Sequence, residues 1–326
     1  MALEEEDIPA INTTTAICIL VFYTVIYVAP FYISSTTRPS TQLSRDAPSN
    51  IKGRIQSVTL SCIICALITY AFLWSNNGAG EAPLGALHSM GFFPIGLIEA
   101  AKCTILTCIL FLGPLFETAI IEGAWKDWVK LHAFKETFGS WIGYRNLIAG
   151  PITEEILFRS CAIPLFILSR ASPSTIIFLT PLIFGLAHIH HFYEFRITHP
   201  HNPLLASITR SLFQLSYTTL FGAYATFLYL RTGSLLAVVL AHSFCNFMGL
   251  PRVWGRVRGA GTLMEPDVGR AGLKRDEDHK PHVLVADERL SFSWTIVYYV
   301  LLVTGTVCFW SALWRLTESR SALVKL

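Results

Sequence analysis

Charge is scarce in this sequence. Only 14% of its 326 residues are Asp, Glu, Lys or Arg, against about a quarter in soluble domains. At the same time 52% are hydrophobic and mean hydropathy is +0.50. So little charge excludes a disordered chain and most soluble enzymes, and leaves an integral membrane protein as the class. Neither sign dominates: 25 basic and 22 acidic residues leave a formal charge of +3, too small an excess to imply a nucleic-acid partner. No H-E-x-x-H zinc-protease helix occurs, and no internal repeat supports an inverted-repeat transporter. A disulfide framework is missing as well. All eight cysteines fall in apolar runs, where a free thiol behaves as a small hydrophobe, and Cys62-x-x-Cys65 has no second pair or nearby histidine.

Apolar runs are what the sequence has instead. A spanning helix needs about 20 mostly apolar residues. Runs near 11–33, 56–74, 94–121, 146–169, 174–190, 204–230, 234–250 and 292–313 predict about eight transmembrane helices in one all-α polytopic domain covering 1–326. The acidic opening, Met1 to Asp7, holds no basic residue, so the first helix is expected to stay as an anchor rather than be cleaved. With that topology 17 basic residues face one side and 5 the other, while Lys102, Arg159 and Arg210 stay within apolar runs. Positive charge marks the cytosolic side, so both termini are expected to point away from it. Residues 123–145 mix Trp and Phe with Lys, which suits either a helix in the membrane interface or an ordinary loop. Residues 251–290 read as a charged cytosolic loop.

An ionised group at the bilayer centre costs about 2.5–3.5 kcal/mol on insertion scales, so charges inside apolar runs need a reason. Three clusters stand out. The first is Pro151-Ile-Thr-Glu-Glu-Ile-Leu-Phe-Arg159, in which Glu155 and Arg159 are four apart on one helical face and can pair. Glu154 is rotated by about 100° and faces elsewhere. A carboxylate left unpaired in a dry site is a competent base near neutral pH; a purely structural Glu–Glu–Arg clamp is the alternative. The second is Phe184-Gly-Leu-Ala-His188-Ile-His190-His191, with His188 in an apolar helix and its two companions near the surface. The third is His242-Ser-Phe-Cys-Asn246, two hydrogen-bond donors at i and i+4. Fixed donors in a dry site can hold a developing oxyanion, although interhelical packing uses such residues too.

Together the clusters supply bases and donors, with no serine or cysteine beside a base at matched spacing. Water is then the nucleophile: Glu154 with His188 activates it, and His242 with Asn246 stabilises the tetrahedral intermediate. Two rivals stay open. His-x-His-His superficially suits a metal-dependent membrane enzyme, although a second histidine box is missing. In a non-catalytic scaffold or immunity-type protein, the same polar clusters would serve packing.

Glu154-Glu155-x-x-x-Arg159, Phe184-x-x-x-His188 and His242-x-x-x-Asn246, in that order, resemble the three signature motifs of the type II CAAX prenyl endopeptidase superfamily. Arg145-Asn146, Ser160-Cys161 and Phe247-Met248-Gly249 around them resemble its eukaryotic, Ras-converting branch. The resemblance is strong over about 140–251, which would be the catalytic core, and rests on hydropathy elsewhere. It implies an endoplasmic reticulum membrane peptidase that removes the aaX tripeptide from farnesylated or geranylgeranylated Cys-a-a-X proteins such as Ras-type small GTPases. The active site would lie in an intramembrane cavity open to the cytosol, in contact with membrane lipid. The family assigns water activation to positions matching Glu154 and His188, and the oxyanion hole to those matching His242 and Asn246. Glu155 and Arg159 would support the site, without metal or other cofactor.

Overall fold

In a computed structural model, residues 9–76, 84–131, 135, 138–259 and 290–326 are described, and every regular element among them is helical. Helices occupy all eight apolar stretches. Those used below are α1 (Thr13–Val28), α2 (Pro48–Asn76), α3 (Leu97–Leu110), α4 (Gly150–Glu155), α5 (Pro173–Ala187), α6 (His190–Thr198), α7 (Leu204–Thr232), α8 (Leu235–Met248) and α9 (Phe292–Leu316).

Length is where the helices depart from a uniform set of eight spans. Four stretches are long and apolar enough to cross a membrane: Thr13–Ile33, Pro48–Asn76, Pro173–Thr198 and Phe292–Leu316. A fifth follows if Leu97–Leu110 and Leu112–Ile121, bent by 79°, count as one broken span. α8 is apolar but only 14 residues long, about 21 Å at 1.5 Å per residue, shorter than a ~30 Å hydrocarbon core. The 146–169 run is broken by two π-helical turns, Arg145–Ala149 and Ile156–Cys161, on either side of α4. Such turns occur often at functional sites.

Local sequence explains the junctions that place the site. Gly233, at φ 59°, ends α7 in the left-handed conformation that glycine adopts without strain. Ser234 then caps α8, accepting from Ala237 N at 3.2 Å while its own hydroxyl donates to Ile95 O at 2.8 Å. α5 lies along α7, and α8 is wedged among α3, α7 and α4. Close α5–α7 approach requires Gly222: a Cβ there would come within 2.8 Å of Pro181 Cβ.

Exposed Val, Leu, Ile and Phe side chains cover the outward faces of α1, α2, α7 and α9, as lipid-facing helices require. Cys62 and Cys65 are buried and unpaired; Cys18 and Cys308 sit on the exposed faces rather than in the core. In the aromatic–basic segment, Trp125–Val129 is a short helix with Trp125 and Val129 exposed. Of the charged 251–290 segment, 260–289 lies outside the described residues.

Candidate active site

The site is assembled by α4. Thr153, one residue before the glutamates, donates its hydroxyl to Ala149 O at 2.7 Å and shares a 2.9 Å hydrogen bond with the Tyr27 hydroxyl of α1. Its carbonyl accepts from Cys62 Sγ of α2 at 3.2 Å. Two neighbouring helices thus fix the rotation of α4 and hence the aim of Glu154 and Glu155.

Glu155 is fully buried and joins two partners. Arg159 Nη1 lies 3.1 Å from Glu155 Oε2, the i,i+4 pair expected from spacing. His242 Nδ1 lies 2.6 Å from Glu155 Oε1, a contact between residues 87 apart in the chain. A carboxylate accepts, so Nδ1 carries the hydrogen that it donates. Arg159, only 1% exposed, also donates to Gly222 O at 3.2 Å and stacks 4.7 Å over the Phe184 ring. A buried guanidinium thereby gains a carboxylate, a carbonyl and an aromatic face.

Glu154 points differently, as its rotation on the helix requires. Its side chain is 23% exposed, and its Oε2 stands 3.8 Å from His242 Nε2. That separation is too long for a hydrogen bond and suits one water touching both atoms. Phe221 packs on the His242 ring at 4.6 Å between centroids and fixes its plane.

Asn246 is held from the other side. Pro151 has no amide hydrogen, so neither Leu147 O, its α-helical acceptor, nor Asn146 O, its π-helical one, can be satisfied by it. α8 uses both carbonyls: Ser243 Oγ donates to Leu147 O at 2.8 Å and Asn246 Nδ2 to Asn146 O at 2.9 Å. The carbonyl accepts only, so it sets which end of the Asn246 amide faces it and leaves one N–H for another acceptor.

His188 caps the end of α5. Its Nδ1 donates to Phe184 O at 2.8 Å, which leaves Nε2 as the basic nitrogen. Its ring meets Phe184 edge-on at 4.8 Å. Phe184 therefore stands between His188 and Arg159, and no hydrogen bond or ion pair joins His188 to Glu154 among the described residues. His190 and His191 diverge: His190 Nδ1 donates to Ala187 O at 2.7 Å, and His191 Nδ1 lies 3.1 Å from Glu194 Oε2.

Glu194 is a residue that reading the sequence did not single out. It is buried on α6 and also binds Arg54 at 2.7 Å and Arg45 at 3.4 Å. Arg54 on α2 is itself buried, with Nη2 also donating to Thr37 O at 2.8 Å. Arg145 joins this region to the site: Nη1 pairs with Asp46 at 2.8 Å, and Nε donates to the side chain of Asn146 at 2.9 Å. Burial, then the neighbouring Arg45, pull the Arg145 guanidinium below its ordinary range, with Asp46 opposing. The one local signal for Glu194 was its i,i+3 spacing from His191. Among the described residues no three His, Cys, Asp or Glu side chains converge as metal ligands.

Comparison with known proteins matches the same segment. The family model "Type II CAAX prenyl endopeptidase Rce1-like" covers residues 136–248, which includes all three polar clusters. The chain is 36% identical over 236 residues to the probable CAAX prenyl protease 2 of Schizosaccharomyces pombe, spanning 72% of this chain and 81% of that protein. It belongs to the type II CAAX prenyl endopeptidase family. CAAX prenyl protease 2 of Homo sapiens is 35% identical over 251 residues, 72% of each chain. That of Saccharomyces cerevisiae is 28% identical over 310 residues, 89% of this chain and 91% of its own. No solved structure matches. Family membership and the apolar helices together make this a membrane protein of a peptidase family.

Proposed function

We propose that the chain is an intramembrane endopeptidase that removes the aaX tripeptide from prenylated Cys-a-a-X proteins. The observation that carries this reading is the meeting of Glu154, Glu155 and His242, with His242 Nδ1 2.6 Å from one carboxylate and Nε2 3.8 Å from the other. Paired carboxylates around a fixed imidazole, in a chain of this family, suit water-dependent hydrolysis.

Glu154 takes a proton from water, assisted by the free Nε2 of His188, and the hydroxide adds to the carbonyl carbon of the prenylated cysteine. Negative charge forms on the carbonyl oxygen, faced by His242 Nε2, which donates a hydrogen in this role, and by the second N–H of Asn246. The C–N bond then breaks, and the amine of the departing tripeptide receives the proton held by Glu154. Glu155 and Arg159 hold His242 and α4 in place. No cofactor enters this scheme. The substrates are farnesylated or geranylgeranylated proteins, Ras-type small GTPases among them. The setting is the endoplasmic reticulum membrane, which the chain crosses about eight times. Residues 140–251 form the catalytic core within a cavity reached from the cytosol.

The test is tripeptide release from a farnesylated Cys-a-a-X peptide by purified protein in detergent, with a chelator present throughout. Wild type is expected to cleave, and Glu154→Ala to fall by about 100-fold or more. Equal rates for the two proteins would remove the mechanism, and a wild-type rate that needs added metal would favour the metal-dependent alternative.

A further inference from the structure

Arg210 rests on an aromatic ring. It lies on α7, six residues after the helix begins, half-buried, with its guanidinium 4.6 Å over the Phe195 ring. Among the described residues no hydrogen bond or ion pair reaches it. An arginine in an apolar run that has an aromatic face beneath it but no hydrogen-bonded acceptor is only partly compensated, and such residues mark substrate and ion sites.

Its surroundings deepen the imbalance. Phe195 follows Glu194, whose carboxylate is already taken by Arg54, Arg45 and His191. Asp46 is taken by Arg145. Four guanidiniums thus gather around two engaged carboxylates, and Arg45 is the most loosely held of the paired ones, at 3.4 Å and 38% exposed. Arg210 lies within electrostatic range of Arg45 and of the already engaged Glu194, and Tyr217 within range of Arg210, Arg45 and Glu154.

Helix geometry links this cationic spot to the cleavage site. At 100° per residue, Tyr217 and Phe221 fall within about 20° of Arg210, so the three form one stripe along α7. Phe221 touches His242 at the far end. Eleven residues of rise separate the two ends by about 16 Å. An extended tripeptide covers about 10 Å, and a hydrogen-bond contact of about 3 Å at each end brings its reach to about 16 Å.

Resting on the peptidase reading above, we propose that Arg210, with Arg45 beside it, binds the free C-terminal carboxylate of the substrate. The stripe would then work as a ruler. It places the carbonyl three residues upstream of that carboxylate against Glu154 and His242, and so selects removal of a tripeptide.

The test compares one farnesylated Cys-a-a-X peptide as its free acid and as its C-terminal primary amide. Wild type is expected to prefer the acid by about 10- to 100-fold in kcat/KM, chiefly through KM, as a charge-assisted hydrogen bond would provide. Arg210→Gln should bring that ratio close to one, and Arg210→Lys should restore part of it. Equal use of acid and amide by wild type overturns the proposal without any variant, so it stays testable if Arg210→Gln does not fold. A variant that cleaves both peptides with the wild-type ratio also overturns it, and would place the arginine on a lipid headgroup instead. Wild type inert toward both peptides would remove the peptidase reading itself, a distinct result.

Discussion

Replacing Glu155 by alanine should damage the fold more than the chemistry. The carboxylate is fully buried and carries two partners, Arg159 at 3.1 Å and His242 at 2.6 Å. Its loss leaves Arg159 with only the Gly222 carbonyl and the face of Phe184. Breaking a buried pair by removing one partner costs about 3–5 kcal/mol, because the remaining charge stays desolvated. At about 2–4 °C per kcal/mol, the expected fall in Tm is roughly 6–20 °C. Glu154→Ala is the matched control: its side chain is 23% exposed and the His242 ring stands 3.8 Å away, beyond hydrogen-bond distance, so its Tm should stay near wild type while activity is lost. Thermal unfolding in one detergent, followed by intrinsic fluorescence, measures both. Combining Glu155→Ala with Arg159→Ala should cost less than the two single losses added together, since no stranded charge remains. A Glu155→Ala protein that melts like wild type would refute the buried-node reasoning.

Two further substitutions probe the packing around this node. Gly222→Ala would bring a methyl to 2.8 Å from Pro181 Cβ, 3.2 Å from Phe184 and 3.3 Å from Arg159 Nη2. A cost of about 1–3 kcal/mol is expected from overpacking, read as a lower Tm, and an unchanged melt would show that α5 and α7 separate freely. Asn246→Asp sets a carboxylate oxygen against the Asn146 carbonyl, now 2.9 Å from an N–H. Both the anchoring bond and the donor to the oxyanion are lost, so kcat for tripeptide release should fall by about 100-fold or more, and wild-type kcat in that variant would exclude the donor role.

Legibility in the sequence followed the range of the interaction. Glu155 and Arg159 pair across one helical turn, so their spacing alone predicted the contact. The opposite rotation of Glu154 was equally local. His242 on Glu155 spans 87 residues, and no periodicity encodes it. Hydropathy located all eight helical stretches because burial in lipid or protein selects the same side chains. It could not foresee that one is only 14 residues long or that π turns flank α4. The first of those turns meets distant donors, Ser243 and Asn246, that take up the carbonyls a proline leaves open.

The same limit applies to the buried charges. A count of basic residues assigns Arg54 a side of the membrane but not a partner, and its acceptor is Glu194, 140 residues away. Orientation rules register that a charge sits near a membrane surface; they do not register whether it turns toward water or inward. Arg210 is the converse case. The sequence marked it as a charge inside an apolar run, and the fold supplied acceptors for Arg54, Arg145 and Arg159 but, among the described residues, no hydrogen-bonded one for it. A guanidinium that rests on an aromatic ring without a hydrogen-bonded acceptor among the described residues, on the helical stripe leading to the candidate active site, is placed for an anion arriving from outside.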